Sequence, residues 1–227
     1  MRFYTEQSLS DLQNFTREVY GLPDDRQYSV EGLLTQMQRF AMRALKGIRK
    51  GDPIKTRNNL LISFLWELAI ANRLHINIEE EVWNRFPMLC SYCGKKPCEC
   101  KKIKPTNRKK IKINQKLKPN TLSNLQKMFE EIYPSQNRSL IDAGIHFAEE
   151  VGEVSEAIHN YTGQHMQKQF EEIKLEMADF VSCACGIANS LKIDLGKEFA
   201  DIFTKNCHVC HSLPCSCSFT EVASIKT

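Results

Sequence analysis

Five acidic residues carry the first chemical signal. Glu149-Glu150-x-x-Glu153 is followed, after 22 residues, by Glu176-x-x-Asp179. Residues three apart share one face of a helix, so each stretch offers two neighbouring carboxylates if both stretches are helical. At 100° per residue, Glu149 and Glu156 point away from the apolar stripe, while Glu150 and Glu153 flank Ala157 at its edge. Glu176 falls inside the apolar arc set by Ile173, Phe180 and Ile187, with Asp179 beside it. Ionised carboxylates at a core edge need compensation that apolar neighbours cannot give. A shared divalent cation gives it, and four hard oxygens from Glu150, Glu153, Glu176 and Asp179 suit Mg²⁺ or Mn²⁺. The plain alternative is a pair of solvated acidic faces, which is the expectation for Glu149, Glu156, Glu171 and Glu172. A second signal is a four-cysteine cluster that occurs twice, Cys90-x2-Cys93-x4-Cys98-x-Cys100 and Cys207-x2-Cys210-x4-Cys215-x-Cys217. Each can supply four thiolates to a tetrahedral Zn²⁺, a reading placed ahead of an iron–sulfur cluster or free thiols. His208 and His211 have no counterparts in the first cluster and are expected to be bystanders. Cys183 and Cys185 are expected to pack as small apolar residues.

The elements that position these groups are helices. Leu122 to Tyr133 is amphipathic and closed by Pro134, and Leu140 to Tyr161 carries Phe147, Val151, Val154 and Ile158 at helical spacing. Gly163 marks a turn, Gln167 to Leu191 forms a long helix, and Asp194 caps a last one running to about Asn206. No useful stretch alternates with a strand period, so the fold class is all-α.

The cysteine repeat extends over the whole unit. At an offset of 117, Ile70-Ala71-Asn72 aligns with Ile187-Ala188-Asn189 and Phe86 with Phe203; at 113, Leu9 to Gln13 aligns with Leu122 to Gln126. Four extra residues are expected in the loop around 160–167. The division that follows is 1–100, a basic linker at 101–120, 121–217, and a tail at 218–227. In the first copy Met37, Phe40, Asn59 and Ile62 stand where the second has Glu150, Glu153, Glu176 and Asp179, so it cannot hold the same metal cluster.

The acidic motif and its flanks, FAEEVGEVSEAI and LEMADFVSCACGIA, resemble the MazG and dimeric dUTPase superfamily of all-α nucleoside triphosphate pyrophosphatases. The resemblance is strong over about 120–206 and reaches about 8–90 only through the internal repeat. It implies that Glu150, Glu153, Glu176 and Asp179 bind Mg²⁺ and that Glu149 orients the attacking water. It also implies phosphate contacts from Lys205 and Asn206 with Lys197, although Cys207 begins where the family continues with basic residues. Members work as dimers or larger assemblies, so the two copies are expected to form an intramolecular pseudo-dimer that buries Phe64, Leu65 and Ile70. One copy would be active and the other degenerate. The first copy retains Arg39, Arg43, Lys46, Arg49, Lys50, Lys55 and Arg57. For these, contact with the substrate's phosphates, above all through Arg39 and Arg43, and a merely solvated face both stay open.

The implied reaction is (d)NTP and water to (d)NMP and pyrophosphate, by in-line attack at the α-phosphorus. The competing function is a zinc-containing module that binds nucleic acid or protein beside a vestigial nucleotide site. It draws on the segment Lys101 to Asn120, which has nine basic residues and no acid. That segment lacks aromatic residues for base stacking, so nucleic acid is not the favoured partner. Further homo-oligomerisation is open. With 42% hydrophobic and 26% charged residues, no leading apolar segment and no apolar run near the roughly 20 residues of a bilayer span, the expectation is a cytoplasmic protein without membrane contact.

Overall fold

A computed structural model describes residues 1–218; most of the expected tail, from 219 on, lies outside the described residues. Nine α-helices and no strand occur among the described residues, as the sequence predicts. They are α1 Leu9–Gln27, α2 Val30–Lys50, α3 Pro53–Arg73, α4 Ile78–Arg85, α5 Cys100–Ile103, α6 Leu122–Ile132, α7 Leu140–Gln164, α8 Gln167–Leu191 and α9 Leu195–Ile202. None of these helices is long and apolar enough to cross a membrane.

Short polar side chains start most of them. Ser8, Ser29, Asp52, Asn77, Thr121, Ser139 and Asp194 each accept a hydrogen bond from a backbone N–H of the first turn, which satisfies a donor that the helix cannot. Gly51 ends α2 at φ 65°, a left-handed position that glycine adopts without strain, and Pro53 opens α3 two residues later. The turn expected at Gly163 comes instead at His165, with φ 55°, and α7 runs on to Gln164. Only His165 and Met166 join α7 to α8, as few residues as join α2 to α3. The four extra residues of this half therefore lengthen helices rather than the loop: Gln164 extends α7, and Gln167, Lys168 and Gln169 open α8 ahead of the residue aligned with Pro53. The last helix is shorter than expected. It ends at Ile202, and Asn206, at φ 52°, already belongs to the turn that leads into the second cysteine cluster.

The four long helices α2, α3, α7 and α8 form the centre. α2 packs on α3 and on α7, and α8 packs on both α7 and α3. Phe180 of α8 sits 5.0 Å from Phe147 and 6.2 Å from Phe64 between ring centroids. Phe64 and Ile70 are buried as expected, whereas Leu65 is half-buried. Wholly enclosed in α3, Glu67 has no hydrogen-bond partner on either oxygen, and burial raises its carboxyl well above the usual range.

The end of each half crosses to the other. α4 packs against α8, and Phe199 of α9 lies 5.7 Å from Phe64 of α3. Cys98 N–H donates to the carbonyl of Ile132 at 2.8 Å, and Cys215 N–H donates to that of Val19 at 2.7 Å. Phe86 lies 6.2 Å from Tyr133, and Phe203 lies 6.3 Å from Tyr20. The first cysteine cluster thus docks on the end of α6, and the second on α1.

Candidate active site and cysteine clusters

Capped by Ser139, α7 turns Val151, Val154 and Ile158 inward and carries Glu150 and Glu153 at the margin of that stripe. Ile173, Met177 and Phe180 of α8 are buried, which places Glu176 between core and surface. One carboxylate oxygen each from Glu150, Glu153 and Glu176 lies within 4.8 Å of the others. Glu150 is only 7% exposed; its Oε1 lies 3.2 Å from His146 Nε2, and its Oε2 is buried without a partner. Burial raises the Glu150 carboxyl, against the pull of the His146 hydrogen bond. Burial and the nearby charge of Asp179 push Glu176 up to about 7, and Arg85 opposes them. Like charges held together at a desolvated edge, with an orphaned oxygen among them, fit a divalent cation.

Asp179 is placed differently from the other three. Arg85, from α4 of the first half, grips it: Nε donates to Oδ1 at 3.0 Å and Nη2 donates to Oδ2. This guanidinium is itself buried. Arg108 of the basic linker reaches the same carboxylate at 3.6 Å while stacking 4.1 Å above the ring of Tyr92 and donating to its hydroxyl at 3.0 Å. Arg138 is a third cation on this side. It lies across α8 so closely that a Cβ on Gly186 would sit 1.7 Å from its Nη2. Its charge acts on both His146 and Cys183.

Glu149 is exposed on α7, and its charge acts on His146. Lys197 and Lys205 are exposed, and Asn206 is used elsewhere: its Oδ1 accepts from the N-terminal amine of Met1, and its Nδ2 donates to the carbonyl of His211 at 3.0 Å. Arg39 and Arg43 each stand 5.3 Å from the centroid of Phe40, the residue aligned with Glu153, and Lys46 is exposed. α9 packs on α6 of its own half and reaches α3 of the first half through the Glu198–Arg57 pair at 3.4 Å, while α4 packs on both α8 and α1. Arg85 left one trace in the sequence, since it occupies the place of apolar Ile202 in the aligned repeat. For Arg108, the basic composition of the linker was the only trace.

The four sulfurs of each cysteine cluster lie within 4.8 Å of one another. Resolved pairs stand 3.6 Å apart for Cys90 and Cys100, 4.0 Å for Cys93 and Cys98, 3.9 Å for Cys207 and Cys217, and 3.7 Å for Cys210 and Cys215. A tetrahedral Zn–S bond of 2.3 Å requires sulfurs about 3.8 Å apart, so both tetrads fit zinc. Backbone N–H groups of Glu99 and Ser216 donate to Cys93 and Cys210 sulfurs, both at 3.4 Å. Burial raises these two thiols, but such backbone bonds outweigh it and hold Cys93 at about 7 and Cys210 at about 5. His208 is not a ligand in this arrangement; its Nδ1 pairs with the Tyr20 hydroxyl at 2.9 Å. Cys183 and Cys185 are buried in α8, as expected of packing residues, although Cys183 Sγ also approaches His146 Nδ1 at 3.5 Å.

The chain has no significant match among curated proteins or solved structures. Residues 142–212, which span all three glutamates, are similar to the MazG nucleotide pyrophosphohydrolase domain.

Proposed function

We propose that this chain is a nucleoside triphosphate pyrophosphohydrolase whose second half is catalytic and whose first half is a degenerate partner. The observation that carries this reading is the convergence of the Glu150, Glu153 and Glu176 oxygens within 4.8 Å, on a face lined by guanidinium groups. The division is 1–100, a linker at 101–120, and 121–217. The reciprocal docking of each cysteine cluster on the other half supports a pseudo-two-fold pair.

Glu150, Glu153, Glu176 and Asp179 would hold Mg²⁺ or Mn²⁺, which would offset triphosphate charge and lower the pKa of water. Arg85 and Arg108 exchange the Asp179 carboxylate for phosphate oxygens, for which a forked guanidinium is suited. Glu149 orients the attacking water, whose proton passes to solvent. The water oxygen bonds to the α-phosphorus, the bond from that phosphorus to the bridging oxygen breaks, and pyrophosphate leaves with the electron pair. The binding-module reading has less support, because linker residues Arg108 and Lys118 are engaged within the chain, Lys118 with Glu79 at 3.1 Å and with Glu80. The test is a screen of common and modified (d)NTPs with Mg²⁺. Monophosphate and pyrophosphate in equal amounts are expected from at least one, and orthophosphate or no hydrolysis from all would overturn the assignment.

The raised carboxyls give the site a pH signature. Glu176 titrates near 7 in the fold against an ordinary 4.5, so it favours the fold while protonated. That contribution is present below about 4.5 and is lost as pH rises through about 7. Asp24, raised to about 7 mainly by burial, and Glu67 act in the same sense. Without divalent cations, the melting temperature should therefore fall from about pH 5 to about pH 8. Mg²⁺ binds the ionised site and should raise it strongly at pH 8 and little at pH 5. Glu176→Gln should remove most of the Mg²⁺ effect and leave the slope due to Asp24 and Glu67. Melting curves that ignore Mg²⁺ at pH 8 would contradict a cation site here.

A further inference from the structure

Beside the three glutamates lies a second group of metal-ligating side chains. A ring nitrogen of His146, an oxygen of Glu150 and the sulfur of Cys183 lie within 4.8 Å of one another. His146 and Glu150 stand one turn apart on α7, and Cys183 meets them from α8. Cys183 Sγ lies 3.5 Å from His146 Nδ1, and Glu150 Oε1 lies 3.2 Å from His146 Nε2. With bonds of about 2.0 Å to nitrogen and about 2.3 Å to sulfur, a tetrahedral zinc ion holds these two atoms about 3.5 Å apart. The Cys183–His146 spacing is therefore that of two ligands on one ion.

A third ligand is in place. Glu150 Oε2 is buried without a partner. Cys183 is buried too, whereas the His146 side chain is 54% exposed and gives an ion a way in from solvent. The donor set differs in kind from the carboxylates. A thiolate and an imidazole favour zinc over Mg²⁺, which prefers oxygen ligands. Three protein ligands leave a fourth position open to water, unlike the closed cysteine clusters. In the first half, Leu33, Met37 and Trp66 stand at the places of His146, Glu150 and Cys183, so the trio goes with the carboxylates.

We propose that His146, Glu150 and Cys183 form an exchangeable zinc site that shares Glu150 with the carboxylate cluster, so that zinc there withdraws Glu150 from Glu153 and Glu176 and competes with Mg²⁺ or Mn²⁺. The Cys183 sulfur binds as the thiolate, and its proton passes to solvent. The zinc site stands on the geometry of the trio, and only the competition rests on reading the glutamates as a cation site.

The experiment uses the full-length protein with both cysteine clusters loaded with zinc. Further zinc is titrated against a chromogenic chelator, and Co²⁺ is added to a separate sample to follow thiolate-to-metal charge-transfer absorption. The parent should bind about one equivalent of zinc more than Cys183→Ala or His146→Gln, and the Co²⁺ band should be lost in Cys183→Ala. His146 lies at the surface, so its variant keeps the test open if Cys183→Ala fails to fold. Mn²⁺ held by the glutamates, followed by paramagnetic resonance, should be displaced by that zinc in the parent, and its displacement should need about tenfold more zinc in either variant. Equal zinc uptake by the parent and both variants would overturn the site and leave the trio a hydrogen-bonded cluster. Zinc and Mn²⁺ bound together, or Mn²⁺ that never binds, would overturn the sharing of Glu150. A triphosphate screen without hydrolysis would count against the proposed function alone, because none of these readings needs turnover.

Discussion

Glu153→Gln and Glu176→Gln should each lower kcat/KM for triphosphate hydrolysis by about a hundredfold or more, the scale on which metal-assisted charge stabilisation contributes several kcal/mol. Glutamine keeps the shape of the side chain and removes only the charge, so the helical signal should not change. A loss of activity alone could come from a damaged fold, but these variants should show the opposite on stability. Glu176 sits at a desolvated edge beside Asp179 and Glu153, an arrangement that raises its carboxyl to about 7. Removing one of these like charges should leave the cation-free protein at least as stable as the parent at pH 8. Lower activity with equal or higher melting temperature is the signature of a cation site. Parental activity in both variants would remove the carboxylates from the mechanism.

Cys93→Ser and Cys210→Ser should each remove one of two zinc ions and lower the melting temperature by about 10 °C or more. That shift follows from several kcal/mol of metal-coupled folding energy and about 2–4 °C per kcal/mol for a chain of this size. Their effects on hydrolysis should differ. The first cluster carries Tyr92, which supports Arg108, and follows directly on α4, which carries Arg85 to Asp179. Cys93→Ser assayed well below its melting temperature should therefore lose activity. The second cluster docks on α1 through the Cys215–Val19 hydrogen bond, and its Cys207, Cys215 and Cys217 line a cavity with Tyr20, Phe40 and Trp66 of the first half. Cys210→Ser should leave the carboxylate face nearly intact and disturb that cavity instead. Equal losses of hydrolysis would contradict the crossed assignment of the two ends.

The sequence was most informative where one helix carries its own signal. The boundaries of α8 at Gln167 and Leu191 and the edge positions of Glu150 and Glu176 follow from apolar periodicity, because burial and charge lie on the same helix. The spacing of the cysteines likewise sets their grouping, since sulfurs so close in the chain can converge without help from the rest of the fold. Features that depend on two helices meeting were not legible. Arg85 is remote in sequence from Asp179, and only the packing of α4 on α8 joins them. Asn206 was illegible for the same reason: its partners are the N-terminal amine of Met1 and the carbonyl of His211, which the fold brings to it. The four extra residues illustrate a local limit. Gly163 suggested a turn, yet continuing the helix to Gln164 satisfies more backbone groups than a longer loop could.

The central claim is that the glutamates of the second half direct water to the α-phosphorus of a nucleoside triphosphate. Hydrolysis in heavy-oxygen water, with mass analysis of both products, tests it most directly. The label should enter the nucleoside monophosphate and be absent from pyrophosphate, with both products lost in Glu153→Gln. Label in the pyrophosphate, or release of labelled orthophosphate, would place the attack at another phosphorus and contradict the account.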